Sequence, residues 1–383
     1  MSKISMPGRR TAAVLATLTV AGAALAVQAG ATAGAATTGG PRPASTGPPV
    51  AYVVNNTPGT VTPINTATNK PGKPISVGPD PVAIAITPNG ATAYVALKRS
   101  RAVVPINTAT NTAGKRIPVG QLPTTILITP NGATAYVINQ ISSTVSAINT
   151  ATNKVVATIP VGDSPDVAAL TPDGKTLYVA AFLGNSTVTP INTATNTAGT
   201  PIPVPRQPFG IAVTPNGRTV YVSYFKLDIV TPISVATGKL GKQIPVGKTP
   251  FAIAITPDSA TAYVANTGGN TLSVIHTASN TTGTPIKVGK EPQDVVVSPS
   301  GSTVYAITGP ASAVTPVSVA TGRAGTPIKM GNGADRIVFT PNGKTGYVPC
   351  FAANTVVPFS TASNTAGTAI KVGQGPIDIA IKP

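Results

Sequence analysis

The sequence predicts an all-β chain folded as a β-propeller of eight four-stranded blades, each about 42 residues long. Three observations predict it. Tyrosine recurs at Tyr52, Tyr94, Tyr136, Tyr178, Tyr221, Tyr263, Tyr305 and Tyr347, at six intervals of 42 residues and one of 43, and a period of this size marks a repeat architecture. Each unit holds four short runs rich in Val, Ile, Thr and Tyr, parted by turn residues, which suits four strands and leaves no room for a helix of about ten residues. The two ends of the repeat array also lack complementary parts.

The unit Thr129–Leu170 shows the elements in order. The pattern predicts strand b at Thr134–Ile138, strand c at Thr144–Asn149, strand d at Val155–Val161 and the next strand a at Pro165–Leu170. TPNG or TPDG joins a to b, with Pro at the second turn position and Gly where a positive φ is wanted. NTATN or its variants join c to d. Four strands per unit is the blade of a propeller, whereas a parallel β-helix needs a shorter period. The repeats enter at a strand b, Val50–Val54, and leave on a strand a, Pro376–Ile381. Pairing these two closes a ring and hides its edges. Seven blades is the alternative, and it leaves an apolar segment unpaired. Pro63, Pro105, Pro190, Pro232, Pro316 and Pro358 fall inside strand c, where a missing N–H predicts a bulge or a strand d that pairs only in part.

The first 35 residues read as a secretory signal peptide: a basic start at Lys3, Arg9 and Arg10, an apolar run from Thr11 to about Ala29, then small-residue cleavage sites. Arg9-Arg10 leaves Sec and twin-arginine export both open. Residues 36–48 are a Gly/Pro/Ser/Thr linker, and 49–383 are the propeller. Cys350 is the single cysteine, so no intrachain disulfide forms. It stands at an ordinary repeat position, as a small apolar filler.

The segments Tyr52-Val53-Val54-Asn55, Tyr136-Val137-Ile138-Asn139 and Tyr263-Val264-Ala265-Asn266, with TPDGKTLYVA (171–180) and NTATNKVVATIPVG (149–162), resemble the YVTN-type β-propeller repeat across about 49–383. The resemblance implies the fold. Its members include surface-layer proteins, secreted binding proteins and relatives of lactonases and quinoprotein dehydrogenases, so it does not imply one activity.

Function is sought where the units differ. The a–b and c–d turns barely vary. The b–c and d–a connections differ in every unit, as at Ala96–Arg101, Ile138–Ser143, Ala180–Ser186 and Ser223–Asp228, and the one length change falls in the loop carrying Phe182. In a propeller these two sets open on opposite faces, so any site is expected on the variable face. Phe182, Phe209, Tyr224, Phe225 and Phe251, with Arg206 and Lys226 and also Lys248 around them, are the expected ligand-binding set, suited to a sugar or a protein partner. Asp294, Arg336 and Asp378 share one position of strand a, beside Asp335. They form either a structural ion-pair network or, if the chain is an enzyme, the catalytic set of a lactonase or lyase. His276 is the only histidine and sits on the uniform face. No nucleophile elbow, phosphate loop or metal-ligand spacing is present, and no cofactor or metal is expected.

Without Lys3, Arg9 and Arg10, 24 basic residues face 10 acidic ones. Eleven of them fall on the c–d turns and strand d: Lys70, Lys73, Lys115, Arg116, Lys154, Lys239, Lys242, Lys287, Arg323, Lys329 and Lys371, with no acid among them. Lysine on an outer strand guards against sheet-to-sheet aggregation. It also attracts polyanions, such as a cell-wall polyanion or acidic polysaccharide. Secretion argues against nucleic acid. The expectation is a secreted, non-catalytic binding or scaffold protein at the cell surface, with a basic rim and a ligand-specific face. The alternative is a lactonase or lyase working at the channel mouth.

Overall fold

A computed structural model describes residues 49–309 and 312–383; the expected signal peptide and linker lie outside them. The described chain has strands and turns and no helix, arranged as eight antiparallel sheets, each in the order a-b-c-d from axis to rim. Blade 2 is representative, with Pro81–Ile86, Thr92–Leu97 and Ala102–Asn107 as its inner strands. Strand a of blade 1 is the C-terminal Pro376–Lys382, paired with the N-terminal Val50–Asn55. The register Val50↔Lys382 through Asn55↔Pro376 closes the ring. Eight blades are present, and the seven-blade alternative falls.

The core is divided. Eight apolar clusters fill the spaces between adjacent blades, as where Ile84, Val95 and Leu97 of blade 2 meet Tyr52 and Val54 of blade 1. The eighth joins Tyr347 and Val356 of blade 8 to Ala51 and Ile379 of blade 1. A blade cannot bury its own faces, so each interface stabilises two blades.

The periodic tyrosine makes these interfaces specific. Its ring is buried against the next blade, and its hydroxyl donates to the Asn of that blade's c–d turn: Tyr52 to Asn111 (2.7 Å), Tyr94 to Asn153 (2.6 Å), Tyr136 to Asn196 (2.6 Å), Tyr221 to Asn280 (2.6 Å) and Tyr305 to Asn364 (2.8 Å). Tyr347 reaches across the closure to Asn69 (2.6 Å). Each of these asparagines has φ between 53° and 55°, a left-handed conformation that Asn tolerates. In blades 5 and 7 the position is Gly238 or Gly322, also at positive φ, and Tyr178 and Tyr263 have no such asparagine to reach.

Strand d pairs only in part, as one of the two expectations had it, but proline is not the cause. In blade 1 it is two short pieces, Lys70–Pro71 and Ile75–Ser76. Blade 6 has Val274 in place of the proline and its strand d is still split. Blade 3 alone has an unbroken strand d, Lys154–Pro160, and alone has Val156 where the other blades have glycine. That glycine turns its N–H inward to strand c, as Gly72 does to Pro63 (2.7 Å) and Gly283 to Val274 (2.8 Å). A side chain on Gly72 would sit 3.1 Å from the Pro63 ring.

Strand a of blade 8 departs from the expected pattern. Only Val338–Phe339 and a bridge from Ala334 to Cys350 are paired. Here Asp335 and Arg336 stand side by side, whereas no other strand a has two adjacent charged residues, and Arg336 turns to the neighbouring blade.

Candidate functional site

The variable face is built on a uniform backbone. In every blade the first b–c loop N–H donates to a d–a loop carbonyl: Asn56 to Gly375, Lys98 to Asp80, Gln140 to Leu122, Phe182 to Ser164, Phe225 to Gln207, Thr267 to Thr249, Gly309 to Glu291 and Phe351 to Gly333. The accepting residue has positive φ each time. The loops therefore differ in side chains while their backbones are clamped alike.

Four of the five expected aromatics meet. Phe209 and Phe251 hold the second position of strand a in blades 5 and 6, and their ring centroids are 4.2 Å apart. Phe225 stands 5.6 Å from Phe209, and Phe182 stands edge-on to it at 6.2 Å. Phe251 is fully buried and Phe209 nearly so, so these two are the floor. Phe182 and Phe225 are half-buried and reach the surface. Arg206, Lys226 and Lys248 are exposed around them. Two members of the expected binding set, Phe251 and Tyr224, have no exposed surface there. Phe251 supports the other rings, and Tyr224 is not in the cluster. Tyr224 is fully buried, and its hydroxyl shares a 2.5 Å hydrogen bond with that of Thr231. It ends strand b, where Asn55 bonds Thr62 in blade 1 (2.8 Å). Tyr224 thus occupies the repeat's asparagine position, which aligning the units could have shown.

Of the charged set, Arg336 and Asp378 form a clamp across the ring closure, while the Asp294 carboxylate accepts the Val295 N–H. Arg336 Nη1 of blade 8 lies 2.6 Å from Asp378 Oδ1 of blade 1, with both side chains largely buried. Asp378 Oδ2 accepts the Ile84 N–H of blade 2 at 2.9 Å. Three blades are linked, and the carboxylate's lone pairs face fixed donors. Burial pushes the Asp294 carboxyl up to about 7 against the pull of Arg336, and Asp335 up to about 6 against the same guanidinium. An Arg–carboxylate pair closed on itself and on a backbone N–H is a structural arrangement first.

Asp166 was not singled out in the sequence. It holds the strand-a position of Phe209 and Phe251, one blade earlier. It is buried, its Oδ1 has no hydrogen-bond partner, and burial raises its carboxyl to about 7 despite Lys98. His276 is exposed at the end of strand c on the uniform face. Among the described residues no three of His, Cys, Asp and Glu converge.

The eleven rim cations are all exposed, and none pairs with a carboxylate among the described residues.

The model of the YNCE-like beta-propeller family matches residues 128–356. The chain belongs to this family. No curated protein sequence matches it. Among solved structures, this YNCE-like propeller is similar to the dihydro-heme d1 dehydrogenase NirN, with a TM-score of 0.74 at 14% identity over 90% of this chain and 77% of that one. It is similar to AztD from Citrobacter koseri (TM-score 0.67, 13% identity, 88% of this chain and 98% of that one). It is also similar to the Kuenenia stuttgartiensis hydrazine synthase (TM-score 0.58, 22% identity, 75% and 99%). At these identities the likeness is one of fold, and the fold hosts varied roles.

Proposed function

We propose that the chain is a secreted, non-catalytic binding or scaffold protein at the cell surface. Its rim contacts a cell-wall polyanion or acidic polysaccharide, and its variable face takes a specific ligand through Phe182 and Phe225. The observation that supports this reading is the rim: eleven exposed cations with no carboxylate paired to them among the described residues. An unpaired belt of one sign raises the local concentration of polyanions and weakens as salt screens it. Lys287, Lys329 and Lys371 repeat one register position on three consecutive blades, each following a buried Ile, and so form an arc suited to an extended polymer.

Retention of residues 49–383 on purified cell wall across a salt series tests the reading. Retention should fall steeply with salt and should be lost when Lys287, Lys329 and Lys371 are all changed to Gln. Absence of retention at low salt refutes it and leaves the lysines as guards of the outer strand.

A further inference from the structure

We propose that the b–c loop tips of blades 3, 4 and 5 dock the propeller on an acidic lipid bilayer. Among the described residues six large apolar side chains are exposed, and four of them stand on b–c loops of the variable face. Ile141, Leu183 and Leu227 do so on three consecutive blades, at 62%, 54% and 43% exposure. Phe351 is the fourth, on blade 8. Scattered exposed apolar residues are ordinary, but a group on one face marks an interaction surface.

The backbone at these tips is prepared for an apolar medium. The N–H of Ile141 is bonded to the Gln121 carbonyl, that of Leu183 to Asp163 and that of Leu227 to Tyr224, at 3.1 to 3.2 Å. Inserting these three side chains strips no water from the amides of the residues that carry them, which lowers the cost of entering hydrocarbon. Phe182 and Phe225 stand behind Leu183 and Leu227 as half-buried aromatics. Their rings extend the apolar surface beneath the tips.

Charge chooses the occupant. Arg101, Arg206, Lys226 and Lys248 flank the tips without an ion pair among the described residues. Of the nearby carboxylates, Asp80 meets Arg99 at 3.3 Å and Asp228 accepts the Thr249 N–H at 2.8 Å, while Asp163 beside Leu183 is exposed, so the flanking cations still outnumber the acids around the tips. A second copy would set these cations against their own kind. An acidic bilayer supplies a negative surface and an apolar interior in one plane, and basic residues beside apolar ones bind it through both.

The inference rests on the reading of the variable face as a binding surface, but not on the rim. Residues 49–383 close their own ring and serve for the test. Flotation is measured with vesicles of phosphatidylcholine alone and of phosphatidylcholine and phosphatidylglycerol in equal parts. The propeller should float with the acidic vesicles and not with the neutral ones. The triple variant Ile141→Ser, Leu183→Ser, Leu227→Ser should lose about tenfold or more of that partition, while the Lys287, Lys329 and Lys371 rim variant should keep it. The chain has no tryptophan, so Leu183→Trp gives a single reporter whose emission should shift to the blue on acidic vesicles. Failure to float on them overturns the inference and leaves an acidic protein as the occupant. Flotation that the rim variant abolishes and the tip variant does not, or a reporter that stays in water, overturns it equally.

Discussion

The two faces of the disc solve the same backbone problem with different residues. On the uniform face, the left-handed position of each c–d turn is Asn or Gly, as at Asn111, Asn153 and Gly238, the residues that tolerate it best. On the variable face, the same kind of position holds Leu122, Gln207, Thr249, Glu291 and Arg101, with φ between 50° and 61°. A branched residue such as Thr249 at positive φ is a conformational outlier. The uniform face is thus optimised for folding. The variable face keeps its side chains at a standing conformational cost, which is where function is expected to overrule stability.

The largest expected effect lies on the uniform side. Tyr347→Ala removes the ring and hydroxyl that bind blade 8 to blade 1, and should cost about 3–5 kcal/mol in urea unfolding. A loss under about 1 kcal/mol would mean that strand pairing alone closes the ring. Asp166→Asn should stabilise the propeller at pH 8 by about 1–3 kcal/mol, since it replaces a buried carboxylate whose Oδ1 lacks a donor. The wild type carries a matching pH signature. Asp166 and Asp294 titrate near 7 when folded, well above an unfolded aspartate. Between those values the folded state holds protons that the unfolded state has released. Their contribution is complete below about pH 4 and is lost as pH rises through 7, so thermal scans should show a lower Tm at pH 8 than at pH 5, with a smaller difference in the Asn variant.

Smaller effects sharpen the contrast between the faces. Asn153→Ala should cost about 1–2 kcal/mol through the lost Tyr94 bond and the strained turn. Thr249→Gly should go the other way, gaining about 0.5–1 kcal/mol by relieving its positive φ. If chemical denaturation shows Thr249→Gly to be destabilising, the distinction between an optimised and a strained face fails.

How much was legible depended on the range of the contact. The tyrosine period, the turns and the missing strands at the two ends are local marks, and they specified eight blades and their closure. The partner of each tyrosine was hidden, because Tyr52 and Asn111 are 59 positions apart and nothing near Tyr52 points to a turn in the next blade. The split of strand d was assigned to proline because proline is conspicuous, whereas it follows a glycine that every blade but the third carries. Phe182, Phe209 and Phe225 were found by their grouping on adjacent blades. Tyr224 was grouped with them by sequence proximity, although strand alternation turns it to the opposite side of the sheet from Phe225's loop. Asp166 carried no local signal at all; its character comes from burial among neighbouring blades.

The closure also makes the starting point of the chain arbitrary. Lys382 lies opposite Val50, so the two ends of the propeller sit where every other blade has its a–b turn. A turn of the TPNG kind linking Pro383 to Pro49 would leave no free end, and the ring could then be opened at any of the seven existing a–b turns. Each such circular permutant would keep every blade-to-blade contact described above. The order in which the units are synthesised is therefore separable from the structure they form, and folding order could be varied experimentally while the native state is held constant.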